Sequence, residues 1–377
     1  MDFALSGPQM KLRDEVRRFA EEEVAPQVPS LDEKGGFPLA LVKRMAQLGL
    51  IGLFVPREYG GRGLGFLAAA LAREEVSRVY PPLGFFCEGN DAGLYMLYSS
   101  GSEEQKRKYL PPICRGEKLT CFALTEASGG SDPLGLQTTA EAGGDGFIIN
   151  GRKVFITLGE VADYCVFVAR AGDRFNAFVV EKGAPGFEVG PRAKIAGLRG
   201  IPVSELAFTN LRLPRSSLLG AEGTGLQAAL GTITLIARPG IAAIALGLAR
   251  GALEATIKFV KERTLRAGPV ASFPAVQFML ADMEVEVEAA RWLCYHASWL
   301  VDQGKTSREV AHDTARAKLY ATEVALRVCL KGIQLMGGYG ASLDCPLTRR
   351  LADALALLPA AGTSEVMRLT IGRELTR

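Results

Sequence analysis

Residues Cys121 to Asp132 read Cys-Phe-Ala-Leu-Thr-Glu-Ala-Ser-Gly-Gly-Ser-Asp. An apolar, strand-like run through Phe122, Ala123 and Leu124 stops at Thr125 and Glu126, and small residues that tolerate unusual backbone angles follow at Ser128, Gly129, Gly130 and Ser131. Such a turn exposes backbone N–H groups and hydroxyls, and successive amides of a Gly-rich turn make a concave nest for a phosphate or a polar ring. A lone Ser-Gly-Gly-Ser is more often a surface hairpin than a site. Further polar and Gly-rich segments follow downstream: Phe155-Ile156-Thr157, Arg263 in a Lys-Glu-Arg segment, Gln334-Leu335-Met336-Gly337-Gly338, and Gly362-Thr363-Ser364.

With Leu124-Thr125-Glu126 at the front, this ordered set resembles the acyl-CoA dehydrogenase family, flavoproteins that desaturate acyl thioesters between Cα and Cβ. The resemblance covers nearly the whole chain. Glu88-Gly89-Asn90 also matches the pocket-lining segment of the medium-chain members, which are nearest in pattern. The resemblance implies FAD, with Leu124, Thr125, Ser131, Phe155, Ile156 and Thr157 along its isoalloxazine and ribityl side and Thr363 and Ser364 closing over it. Arg263 at the pyrophosphate, and Gln334, Gly337 and Gly338 at the adenosine end, are implied to come from a neighbouring subunit, hence a homo-oligomer, commonly a dimer of dimers. Ser131, Glu88, Tyr95, Arg238 and Ala361 fall on the substrate side. The implied partners are an acyl thioester, carried on CoA or a carrier protein, and an electron-transfer flavoprotein.

Taking hydrogen from both carbons of a thioester needs a hydride acceptor at Cβ, a base at Cα, and donors that hold the thioester oxygen while enolate charge builds. The base is where the chain departs from the family. Members usually carry Glu before Gly-Thr-Ser, whereas Ala361 stands there; the isovaleryl-type position, just before Arg238, is Ala237. No Asp or Glu occurs between Gly223 and Glu254. The catalytic residue is therefore unassigned. Glu160, just past Phe155-Ile156-Thr157, is a substitute to test against the structure, while Glu88 is read as pocket wall and Glu365 as solvent-facing. Leu265-Arg266-Ala267-Gly268 replaces the Phe-Gly that follows the pyrophosphate arginine, Phe273-Pro274 replaces a glutamine, and Leu235 replaces an aspartate that contacts CoA. The expected function is α,β-desaturation of an acyl thioester with a non-standard or impaired base. The rivals are another flavin reaction on the same scaffold, an oxygenase or reductase, and a non-catalytic partner subunit of a hetero-oligomer.

Helical spacing of Leu12, Val16, Phe19, Ala20 and Val24 predicts an opening amphipathic helix ended by Pro26 and Pro29. Ala40–Leu48, Leu67–Val79, Gly93–Ser99 and Glu103–Leu110 continue the helical pattern. From about Leu119 to Leu218, β-branched and aromatic runs (Gly146–Asn150, Val154–Thr157, Tyr164–Ala169, Asn176–Glu181, Glu205–Phe208) predict a compact antiparallel β domain. Leu226–Lys261, Ala275–Gln303, Arg308–Met336 and Gly362 onward predict long helices of a bundle. The expected class is α+β multidomain, with boundaries at 1–117, 118–222 and 223–377. A net charge of +3 over 377 residues argues against a nucleic-acid partner or a charged membrane surface. Seven scattered cysteines without a Cys-x-x-Cys pair, and only two histidines, argue against a metal site or disulfide framework. The N-terminal residues do not read as a signal peptide, so the expected location is cytoplasmic.

Overall fold

The computed structural model describes residues 4–376. Leu12 and Val16 line the buried side of α1 (Gly7–Arg18), and a π-helical turn extends it through Val24. The prolines do not end the helical run as expected. Pro26 sits in a 3-10 turn and Pro29 in the first turn of α2 (Val28–Lys34), where a missing N–H costs no intrahelical bond. α3 (Leu39–Gln47), α4 (Gly65–Val79), α5 (Pro81–Ser100) and α6 (Glu103–Cys114) complete the first helical layer. α5 starts well before Gly93 because Pro81 and Pro82 occupy its first turn.

Eight strands follow: β1 (Thr120–Ala123), β2 (Thr139–Gly143), β3 (Gly146–Thr157), β4 (Tyr164–Ala171), β5 (Arg174–Glu181), β6 (Phe187–Arg192), β7 (Val203–Pro214) and β8 (Leu218–Leu219). They pair in the order β6-β7-β3-β2-β4-β5-β8, with β1 beside β4. Most ladders are antiparallel as expected, but the sheet is mixed: β1 runs parallel to β4, with Cys121 opposite Cys165, and β2 touches β4 in parallel at Thr139 and Arg170. Two of the expected runs, Gly146–Asn150 and Val154–Thr157, are one strand, β3, interrupted by bulges against β7.

The last layer comprises α7 (Gly225–Thr232), a π turn (Ile233–Ala237), α8 (Arg238–Glu262), α9 (Pro274–Asp302), α10 (Ser307–Met336), α11 (Pro346–Leu357) and α12 (Ser364–Leu375). A two-stranded ribbon of β9 (Thr264–Leu265) and β10 (Gly268–Pro269) joins α8 to α9. α8 is the axis of the molecule, packed by α4, α5, α9, α10 and α11. Gly247 and Gly251, one turn apart, let the α4 backbone approach: a Cβ on either would lie 2.3 Å from the Glu74 carbonyl oxygen or 2.1 Å from that of Arg78. The continuous run Gly225–Glu262 is long and apolar enough to span a bilayer, with mean hydropathy 1.7, but 72% of that window is buried inside the bundle. Its apolarity therefore goes into the core of a folded domain.

Charges lock the layers together. Glu74 and Glu75 of α4, each 2% exposed, take Arg17 from α1, Arg250 from α8 and Arg291 from α9. Asp302, ending α9, accepts the Phe66 and Leu67 N–H groups at 2.6 and 2.9 Å and so caps α4. All seven cysteines are free thiols, and among the described residues no cluster of His, Cys, Asp or Glu could hold a metal.

Candidate functional site

The Gly-rich turn is held from beneath by a buried ion pair. Lys153 of β3 is 0% exposed and donates to Glu126 Oε1 at 2.7 Å and to the Leu124 carbonyl at 3.1 Å. Glu126 also accepts the backbone N–H groups of Gln137 (2.6 Å) and Thr138 (3.1 Å). Burial pushes its carboxyl up, but Lys153 and these donors outweigh that and hold it below the usual carboxylate range. The conspicuous acid of Leu-Thr-Glu is thus an anchor. Gly130 closes over Thr125, where a Cβ would meet the threonine methyl at 3.2 Å, and Ser131 is exposed beside it.

The Val154 N–H donates to the Thr125 carbonyl at 2.9 Å, tying the turn to Phe155-Ile156-Thr157. Here β3 bulges between Lys153 and Ile156. Phe155 adopts φ +57° and leaves 65% of its surface exposed, and Leu158 adopts φ +65°. A bulky aromatic in the left-handed region, facing outward from a bulge, is a costly arrangement that clusters at functional sites. Ile156 points inward at 2% exposure, so only its backbone can face a ligand. Thr157 lies under α5, where a Cβ on Gly89 would come within 2.6 Å of its methyl carbon.

The third wall is the link between α11 and α12. Ala361 has φ +55° and Gly362 φ +103°. Thr363 caps α12, accepting the Val366 N–H at 3.3 Å, and the buried Ser364 hydroxyl has no hydrogen-bond partner among the described residues. Beneath the link, buried Lys318 of α10 donates to the Leu358 and Gly362 carbonyls at 2.6 and 2.8 Å. Burial, then repulsion from Arg238, lowers its ammonium to about 8. Sequence reasoning missed Lys318; its only signal is the small-residue setting of Ala315, Ala317 and Ala321 on a bundle helix.

Arg238 opens α8 and lies within electrostatic reach of Lys318, while Ala237 is buried in the π turn before it. Glu88 of α5 is 8% exposed, and its Cγ would lie 3.2 Å from a Cβ on Gly240, two residues past Arg238. Burial raises its carboxyl to about 7, against the pull of Arg73 and with a further push from Asp91. Arg73 pairs instead with Asp91 at 2.6 Å, leaving Glu88 without a hydrogen bond among the described residues. Tyr95 packs its ring 5.9 Å from both Phe54 and Phe66, as helix core. Glu160 is exposed on the turn after β3, where its carbonyl accepts from Lys182. That position gives no buried, oriented carboxylate, and Glu160 is set aside as a base.

Arg263, Gln334, Gly337 and Gly338 gather elsewhere. The Arg263 guanidinium lies 5.5 Å over the Tyr339 ring, and all of these residues are exposed at the far ends of α8 and α10. A cavity of about 560 Å³ opens between the β4–β5 hairpin, α7 and the start of α10, with Arg174, Thr234 and Arg308 among its lining residues.

Mixed sheet between two helical layers, bulged aromatic, capped α12 and axial α8 together define a family. Profiles of the N-terminal, middle and C-terminal domains of acyl-CoA dehydrogenases match residues 7–117, 121–211 and 223–376. The short-chain-specific acyl-CoA dehydrogenase of Clostridium acetobutylicum is 40% identical over the full length of both chains. The structure of butyryl-CoA dehydrogenase from Megasphaera elsdenii superposes with a TM-score of 0.97 at 34% identity, covering both chains completely. The FAD complex of PigA superposes at 0.93 with 30% identity, over 100% of this chain and 99% of that one. The chain belongs to the acyl-CoA dehydrogenase family, and it is an oxidoreductase by descent.

Proposed function

We propose that this chain is an FAD-dependent oxidoreductase acting on an acyl thioester, its site lacking the family's carboxylate base. The observation that carries the reading is Phe155, exposed at left-handed φ beside the anchored turn and the α12 cap. The donor set fits a flat polar ring with a phosphate tail: an aromatic platform, the Ser128 and Gly130 amides on either side of the Gly129–Glu126 bridge, the unpartnered Ser364 hydroxyl, and an arginine over an aromatic at the distal cluster. Leu124, Thr125, Ser131, Phe155, Thr157 and the Ile156 backbone would hold the ring side, with Thr363 and Ser364 closing it. The chemistry FAD supplies there is acceptance of the Cβ hydride.

The remaining steps belong to the chain's own residues. The Ala361 backbone N–H is assigned to polarising the thioester carbonyl, a role that needs no side chain. Arg238 and Lys318 supply positive potential where enolate charge develops. Glu88 and the wall of α5 bound the acyl tail. The cavity with Arg174 and Arg308 suits the anionic carrier of the thioester, a CoA or a carrier protein.

A single α8 of 25 residues separates Arg238, on the thioester side, from Arg263 by about 37 Å. That separation supports a reading in which a second copy supplies Arg263, Gln334, Gly337 and Gly338. An electron-transfer flavoprotein is the proposed acceptor. Ala361 favours one further reading, a flavin reaction that takes no α-proton. The deciding measurement is flavin absorbance and FAD-to-chain ratio of the purified protein, followed by anaerobic addition of acyl-CoA. A loaded flavin that bleaches supports desaturation; a loaded flavin that never bleaches favours the other reaction; absent flavin defeats both.

A further inference from the structure

Lys318 is a cation within α10 that has no acid to balance it. It is 0% exposed and makes no ion pair among the described residues; its ammonium donates to the Leu358 carbonyl at 2.6 Å and to the Gly362 carbonyl at 2.8 Å. Glu323 of the same helix is paired with Arg368 at 2.6 Å, and Glu365 is bonded to Thr363. No other side chain bonds the backbone from 358 to 362 among the described residues. A buried charge is costly, and here two backbone carbonyls of one short link are what it holds.

The link is strained at both ends. Leu358, the C-cap of α11, keeps φ −59° and ψ −47° although Pro359 follows, a helical conformation that a following proline ring disfavours. Ala361 then takes φ +55° and Gly362 φ +103°. Such angles persist where the surroundings over-determine them. One ammonium bonded on either side of Ala361 supplies that restraint, and it also satisfies a carbonyl left over at the end of α11. From there the link runs straight into α12: a Cβ on Gly362 would lie 2.8 Å from the Met367 methyl, and Thr363 accepts the Val366 N–H at 3.3 Å. We infer that Lys318 is the positioning residue of the site: its ammonium clamps the α11–α12 link and thereby fixes the Ala361 N–H and the placement of Thr363 and Ser364. Being fully buried, it acts through that backbone and not on a substrate. The clamp stands on the geometry; its consequence for a thioester rests on the function proposed above.

The test uses the purified protein with whatever flavin it carries. Lys318→Met keeps the apolar stem and removes the donors, whereas Lys318→Gln keeps two N–H donors without the charge. Hydrogen exchange of the native chain and both variants is read peptide by peptide by mass spectrometry. Lys318→Met should speed exchange across 358–367 by ~10-fold or more and leave the remaining peptides unchanged, and Lys318→Gln should restore most of the protection. In parallel, dissociation constants are measured for acetyl-CoA, which has no Cβ to desaturate, and for S-ethyl-CoA, which carries a methylene in place of its carbonyl. The native chain should prefer the thioester by about fivefold, the worth of one hydrogen bond. Lys318→Met should lose that preference while holding S-ethyl-CoA as before, and Lys318→Gln should keep most of it. Exchange that Lys318→Met leaves unchanged, or raises equally over the whole chain, overturns the inference. So does a carbonyl preference that survives Lys318→Met, or an equal loss of affinity for both compounds. A native chain with no carbonyl preference counts against the thioester reading and not against the clamp, which the exchange data then decide. Thermal unfolding of each variant separates local release of the link from loss of fold.

Discussion

Ala361 and Glu88 are the two residues whose chemistry is most exposed to test. Ala361 already carries a Cβ at φ +55°, so extending it to glutamate adds no new backbone strain. Lys318, held on the Leu358 and Gly362 carbonyls that bracket position 361, would favour the ionised form of the new carboxylate. Ala361→Glu should therefore raise acyl-CoA desaturation by ~10²-fold or more, measured as anaerobic flavin bleaching; no gain would rule out the lost-base account. Glu88 titrates near 7 when folded, above its ordinary 4.5. A raised folded pKa means that the native chain holds the proton between those values while the unfolded chain has lost it. Stability on this account is intact below 4.5 and falls as pH rises toward 7. Glu88→Gln removes the ionisation penalty, so its stability relative to the native chain should improve by roughly 1–3 kcal/mol between pH 4.5 and pH 8, read from urea midpoints at each pH. A pH-independent difference would show that folding does not raise the Glu88 carboxyl above its ordinary value. The alanine at 361 was legible in the sequence because it stands one position before Gly362-Thr363-Ser364. The setting of Glu88 was not, because Arg73 reaches it and Asp91 across the packing of α4 on α5, which no local pattern encodes.

At the scale of elements, the site depends on how β3 ends. The bulge between Lys153 and Ile156 turns Phe155 outward while Lys153 points into the sheet to meet Glu126, so one irregularity both presents the aromatic and anchors the turn. Lys153→Met would leave the Glu126 carboxylate buried and unpaired. It should lower stability by about 3–5 kcal/mol, observed as a fall in the urea midpoint, and reduce bound flavin because the turn loses its fixed geometry. Unchanged stability would mean that Glu126 finds water or other donors once Lys153 is gone. The sequence marked Leu124-Thr125-Glu126 and Phe155-Ile156-Thr157 as one site, and the structure joins them through the Val154 to Thr125 hydrogen bond. It could not assign Glu126, whose role depends on a partner 27 residues away. Long helices were readable from periodicity, but the short edge strands β6 and β8 lack the length for a clear period.

The whole molecule leaves a seam uncovered. α9 exposes Phe278, Val285, Trp292 and Trp299 at intervals of seven, with 70, 68, 44 and 46% of their surfaces accessible. A seven-residue repeat of large apolar groups is the pattern of a helix packed against another helix. Exposed stripes of this size mark association surfaces. Arg263 at the end of α8 and Gln334, Gly337 and Gly338 at the end of α10 form a second exposed surface. Under the proposed function another copy would supply both a facing helix for the seam and the phosphate half of the site. Introducing Phe278→Glu together with Val285→Glu places two charges in that seam at positions remote from Ala361 and Phe155. Light scattering should report a shift from oligomer to monomer. Flavin content should fall with it, since each monomer keeps only half of the donor set. If the double variant remains oligomeric, the assembly uses another surface; if it becomes monomeric yet keeps one FAD per chain, the two clusters do not share a cofactor. Only coupled loss of assembly and flavin fits a site built across two copies.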